Sequence, residues 1–318
     1  MSQISDATKG ALLKEAADAS VFMELTPEFI VENTTNFDEW YIKAKRVVFK
    51  PNAQLVFTKA AQSRRNSFFI VTEELVSEDM NATGNIIWEH DSVPPQAATS
   101  GQAPSGEDGS GTGSNGAQGR QGEQGVTGIT GNNAPTLTII VAKVPSSGAF
   151  IDFSGQAGGQ GGNGQQGGKG GAGASGRDAE QGAFTCLSGA GDGGNGGTGG
   201  NGGTGGTGGI GGIGGIVNII SVSETSETIG QKFRILVSGG EGGSGGSAGE
   251  GGLGGSGGSG GNDALPYCGG EGSDGSTGEV GQRGESGQSG SKGMDGDYFI
   301  GQITEDIFDK VIGTVPQT

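Results

Sequence analysis

Over the first hundred positions short runs of apolar residues alternate with polar ones, and the apolar residues are mostly β-branched or aromatic. That pattern predicts strands over 21–25, 29–32, 40–44, 46–49, 54–57, 68–72 and 85–88. Residues 11–19 (ALLKEAADA) have helical spacing, and Ile307, Phe308, Val311 and Ile312 share one face of a second short helix over 304–312. Two later islands, 136–154 and 216–238, repeat the strand-like pattern, each with room for two strands. A short echo links Ile42-Lys43-Ala44-Lys45 with Ile140-Val141-Ala142-Lys143. Repeated units of this size predict an all-β core, a β-solenoid or a β-sandwich, with the solenoid favoured.

Between the islands the period is three. Glycine recurs at every third position over 113–131, 155–176, 193–214, 240–261 and 269–296, and its register resets between tracts. The chain has 74 glycines in 318 residues, of which only Gly10 and Gly84 fall in the first hundred. A flexible linker has no reason to hold one register through many triplets and reset it at an apolar island, so order is expected over disorder. The tracts contain no proline, whereas collagen-like chains carry roughly 15–20% or more of it, so a collagen triple helix would be weak. The remaining three-residue helix is of the polyproline-II type, whose amides bond to nothing within their own strand and must find partners laterally. A row of residues facing a neighbouring rod must then lack side chains.

On that rule the number of glycines per triplet reads as position. Residues 193–216 are Gly-Gly-X triplets whose single outward stripe is Asn195, Thr198, Asn201, Thr204, Thr207, Ile210, Ile213 and Ile216, which predicts a central rod. Residues 239–262 are nearly the same, with a second row broken by Ala248, while 113–131 and 269–296 mostly keep one glycine per triplet and are expected at the edges. The pattern resembles the polyglycine-II bundles of snow-flea antifreeze proteins and of some phage tail-fibre tip adhesins, over roughly residues 101–296.

The connectors 177–188 and 262–268 are too short to carry the chain back along a rod of roughly 70 Å at about 3.1 Å per residue, so the tracts must run out and back. The chain then divides into an N-terminal helix or docking segment (1–20), a β-rich region (21–100), a short glycine-rich excursion (101–131), a β island (132–154), an out-and-back pair (155–216), a second island (217–238), a second pair (239–296) and a C-terminal strand and helix (297–318). Cys186 and Cys268 both land at the far tip, where they form either a disulfide between the two turns or two separate buried thiols.

The formal charge of −17 repels phosphate backbones and anionic headgroups, so nucleic acid is a poor partner. No apolar run reaches the roughly 18 residues that cross a bilayer, so membrane insertion is not expected, and the start, MSQISDATKG, lacks the regions of a signal peptide. The lone His90 excludes sites built on two histidines, Gly-x-Gly-x-x-Gly is a by-product of the repeat, and residues 164–170 have Gly170 where a phosphate loop needs Ser or Thr. Asp192, Asp274, Asp295 and Asp297 lack the nine-residue period of calcium-binding repeats and read as a solvated acidic surface. Asn33 and Asn81 begin glycosylation sequons.

No catalytic residue, cofactor site or metal site is therefore expected, and the chain reads as non-enzymatic. The first expectation is an extracellular, or cell- or virion-surface, structural protein that assembles with itself into a filament or surface layer, with Leu12, Leu13, Ile307, Phe308 and Val311 as candidate contacts. The alternatives are an adhesin whose far-end turns bind a cell-surface receptor or glycan, and an ice binder using the stripe of Asn195, Thr198, Asn201, Thr204 and Thr207.

Overall fold

The computed structural model describes residues 2–78, 86–91, 101–144, 149–222 and 225–313. In chain order these form β1 (Ser2–Gln3), α1 (Asp6–Ser20), β2 (Thr26–Val31), β3 (Thr34–Phe37), β4 (Tyr41–Phe49), β5 (Gln54–Phe57), α2 (Lys59–Arg64), β6 (Ser67–Ser77), β7 (Ile86–Trp88), β8 (Thr136–Lys143), β9 (Phe150–Asp152), β10 (Glu180–Gln181), β11 (Cys186–Ser188), β12 (Ile216–Ser221), α3 (Ser226–Lys232), β13 (Arg234–Leu236), β14 (Asp297–Gln302) and α4 (Glu305–Ile312).

The expectation of an all-β solenoid or sandwich is corrected. Two large sheets, both wholly parallel, are interleaved in the chain with helices, an α/β arrangement. The first sheet has seven strands in the order β1-β14-β12-β8-β6-β4-β2, and the second has five in the order β13-β9-β7-β5-β3. The helices escaped the strand pattern because α2 and α3 are short and start from caps rather than apolar runs. The Thr58 and Thr225 hydroxyls accept the amides of Ala61 and Thr228. Helix α1 is longer than expected because Ser5 caps it six residues ahead of Ala11, and the expected strand at 21–25 is instead the turn that leaves it.

One apolar core lies between the sheets and contains Ile42, Phe57, Phe68, Ile139, Ile151, Phe153 and Ile219. A second lies on the outer face of the seven-stranded sheet, where Ala16 and Ala19 of α1 and Phe308, Val311 and Ile312 of α4 cover Tyr41, Phe69, Val71, Ile140 and Ile220. The expected strands 40–44 and 46–49 are one strand, β4, whose ladder is interrupted at Lys45 without a change of register. Ala44 pairs with Thr26 and Thr72 and Arg46 with Glu28 and Glu74, so Pro27, Lys45 and Glu73 are skipped side by side, as is Ala142 one strand further on. Across this interruption the inward phase shifts by one, from Ile42 and Ala44 to Val47 and Phe49. Through Ile70 the register sets Ile42 opposite Ile139, so the sequence echo with Ile140 was one residue out.

The glycine tracts are extended rods that bond to one another every third residue. Rods 1 to 6 span 101–109, 113–131, 155–176, 193–214, 239–261 and 272–296. They form two layers, with rods 1, 3 and 5 side by side in one and rods 2, 4 and 6 in the other. Within the first layer Ala103 N–H donates to Gln166 and Gly158 N–H to Glu241, and within the second Gly116 donates to Asn195 and Gly193 to Ser273. Each layer continues a sheet. The ladder from β9 to β13 runs on through Phe153 to Leu236 and Gly155 to Ser238, two residues apart, and then through Gly158 to Glu241, three apart. Strand period thus becomes rod period at Ser154-Gly155. Rods 2, 4 and 6 return the chain into β8, β12 and β14.

Rod 4 bonds to four neighbours. It donates through Gly193 to rod 6 and through Gly194 to rod 3, and accepts at Asn195 from rod 2 and at Gly194 from rod 5. A Cβ on Gly200 would lie 1.9 Å from the Arg120 carbonyl oxygen, and one on Gly199 would lie 1.9 Å from that of Gly252. Rod 3 also has four neighbours, although Gln156, Gln165 and Ala174 interrupt its second glycine row. Rod 1 begins beside Gln166, so both glutamines lie where it is absent, while Gly168 and Gly171, where it is present, approach the carbonyls of Pro104 and Glu107 within 1.9 Å of a would-be Cβ. Ala248 faces rod 6, an outer rod bonded only to rods 4 and 5, which has an open flank on which to yield.

Replacing Gly161 or Gly164 by Ala is expected to cost more than about 3 kcal/mol, because the carbonyls opposite, of Gly206 and Gly203, belong to rod 4, which is bonded to rods on all four sides. Replacing outward Thr204 by Ala is expected to change stability by less than about 0.5 kcal/mol. Chemical denaturation of the three variants checks both values.

Candidate functional site

Two surfaces are candidates, the flat outer faces of the rod bundle and its far tip. On the second layer the stripe Asn195, Thr198, Asn201, Thr204 and Thr207 stands outward, with its two glycine rows turned inward, and continues into exposed Ile210, Ile213 and Ile216. Its residues do more than face water. Asn195 Oδ1 accepts the Ser276 amide at 2.8 Å and Asn201 Oδ1 accepts that of Gln282 at 2.8 Å.

This use of a side-chain carbonyl recurs across the bundle. Asn115 accepts from Asn195, Asn133 from Ile213, Asn163 from Ser247, Asp178 from Asn262, Asp192 from Ser273 and Asp274 from Gly260. In most of these pairs the amide belongs to an outward residue that the glycine network leaves over. The aspartates read from sequence as a solvated acidic surface are therefore in part structural caps, and the signal that marked them was Asn or Asp in the outward row beside another rod. At Asp295 the Gly239 amide, then Lys292, hold the carboxyl below its ordinary pKa.

At the tip, the turn 177–192 carries the small hairpin β10–β11, and the turn 262–271 packs beside it. Cys186 and Cys268 are joined in a disulfide, with Cα atoms 4.9 Å apart and a sequence separation of 82. Gln181 clamps the same pair of turns, its Nε2 donating to the Leu265 carbonyl at 2.9 Å and its Oε1 accepting the Tyr267 amide at 3.3 Å. Around this clamp Phe184 is 85% exposed, Leu187 61%, Leu265 66% and Tyr267 45%. Sequence reasoning located the turns but not this cluster, because four large apolar residues in two short connectors form no periodic pattern.

The candidate assembly residues serve the chain's own core. Phe308 and Val311 are buried, Leu12 and Leu13 pack on the same cluster, and Ile307 is partly exposed. His90 lies against Trp88 with ring centroids 4.4 Å apart, and burial pushes its pKa down. Asn33 occupies a left-handed turn between β2 and β3 at φ 50°, and the second sequon, at Asn81, lies outside the described residues. Among the described residues no group of three or more His, Cys, Asp or Glu could hold a metal ion, and no helix is long and apolar enough to cross a membrane.

The double variant Cys186→Ala/Cys268→Ala is expected to lose about 2–4 kcal/mol of stability, the range for a cross-link closing a long loop. Denaturant titration against the oxidised parent measures it.

No protein-family model matches the chain, and no curated protein matches it. Among solved structures it is similar to a springtail antifreeze protein from Granisotoma rainieri, described as a nine polyproline type II helical bundle whose crystal waters match the ice lattice. The likeness covers 54% of this chain and 100% of that one at 26% identity, with a TM-score of 0.08, too slight to bear on the fold.

Proposed function

We propose that this is a non-enzymatic binding protein of the adhesin kind, in which the rods are polyglycine-II helices forming a stiff arm that holds a recognition tip away from an α/β base. The observation that carries this reading is the cluster of Phe184, Leu187, Leu265 and Tyr267, exposed on two turns that a disulfide and Gln181 hold together. Large apolar side chains bared at the end of a rigid support cost solubility and are the residues that dominate binding energy at interfaces. At about 3.1 Å per residue the 22-residue rod 3 sets the tip roughly 65–70 Å from the sheets. The disulfide supports an extracellular, cell-surface or virion-surface location, where such bonds persist.

The reading is tested by applying labelled protein to arrays of receptor ectodomains and glycans. Phe184→Ser/Leu265→Ser is expected to weaken capture at least tenfold, and Thr204→Lys on the bundle face to leave it unchanged. Equal capture by the tip variant would remove the reading.

A second reading, self-assembly into a filament or surface layer, is favoured by the strand edges. The two sheets end together on β2 and β3, whose outer sides meet no other strand among the described residues, and Ile30 on β2 is partly exposed. Light scattering should then show concentration-dependent oligomers that Ile30→Lys abolishes. A monomer at every concentration would exclude this reading.

A further inference from the structure

The charge around the tip restricts what can cover it. Its two turns, residues 177–192 and 262–271, with the start of rod 6 carry six carboxylates, Asp178, Glu180, Asp192, Asp263, Glu271 and Asp274, against the single cation Arg177. Three of them hold backbone amides, Asp178 that of Asn262 in the facing turn and Asp192 and Asp274 those of Ser273 and Gly260 in neighbouring rods, which fixes their charge in place at this end of the bundle. A surface of this kind repels an anionic lipid leaflet, whose attraction to proteins works through Lys and Arg, and it repels nucleic acid. It also disfavours a second copy of this chain, whose net charge is −17.

Resting on the reading of the tip as the binding organ, we propose that its partner is a protein surface with an apolar pocket rimmed by Lys and Arg. Phe184 and Tyr267 are the aromatic anchors for the pocket, with Leu187 and Leu265 beside them, and the carboxylates meet the basic rim. The carboxylates at the periphery steer encounter and select the partner, while the apolar residues supply most of the affinity. Clamping by Cys186–Cys268 and Gln181 presents both turns already ordered, so little ordering cost is incurred on binding.

The experiment pans a displayed library of random peptides against the immobilised full chain and measures the enriched peptides in solution. The expected peptides combine aromatic or aliphatic residues with Lys or Arg. Their binding should fall at least tenfold between about 50 mM and 500 mM salt, severalfold with Glu180→Gln/Glu271→Gln, and at least tenfold with Phe184→Ser/Leu265→Ser. Enrichment of neutral or acidic peptides, binding indifferent to salt, or no enrichment overturns the proposal. So does stronger partition of the chain into phosphatidylcholine vesicles than onto any peptide. Peptides that bind the Phe184→Ser/Leu265→Ser variant as well as the parent would instead refute the tip as a binding organ, which separates the two failures.

Discussion

The bundle depends on one requirement, that a backbone with no internal hydrogen bonds must satisfy its amides sideways, at a distance where a side chain cannot fit. In rod 4 two amides of every triplet donate to neighbouring carbonyls, as Gly196 does to Ser276 and Gly197 to Gly171, and both residues must be glycine because a neighbouring carbonyl occupies the place of the Cβ. The third residue of each triplet points outward and is free to vary, which is why the chain can tolerate Asn, Thr and Ile in one stripe. Where that third amide lies beside another rod, an Asn or Asp side chain takes it up. Composition, period and surface chemistry therefore follow from a single bonding pattern.

The same pattern ties the arm to its base. Parallel sheets already present amide and carbonyl groups to the next strand in a regular row, and the rods extend that row without a break, exchanging a two-residue period for a three-residue one at Gly155. Each layer is anchored in a sheet whose core is apolar, with Phe153 buried between the sheets and the chain entering rod 3 two residues later. Rods 2 and 6, which end the second layer, mostly keep one glycine per triplet, so their two remaining rows of side chains close that layer to a further rod.

Much of the arm was legible because glycine is the one residue whose absence of a side chain is itself a positional signal. The two-sided burial of rod 4 and the out-and-back course could be read from phase and connector length. Rod 3 could not be placed as central, since Gln156 and Gln165 mimic an exposed row and only the short reach of rod 1 explains them. In the base, the strand stretches were visible but their class was misjudged. Helices α2 and α3 bury little more than Ala61 and Ile229, too little to show a helical period, and the column of skipped pairs at Lys45 made one strand resemble two. The tip cluster was invisible for a different reason, because binding surfaces need no periodicity.

A stiff arm with an ordered end makes physical sense of a chain in which roughly half of the residues build no apolar core. The stiffness rests on the lateral bonds, and residue-resolved amide hydrogen exchange across residues 193–214 tests them most directly. The account predicts strong protection at both glycines of each triplet, such as Gly199, Gly200, Gly205 and Gly206, with fast exchange at outward Thr198 and Thr204 between them. Uniformly fast exchange through the tract would contradict it.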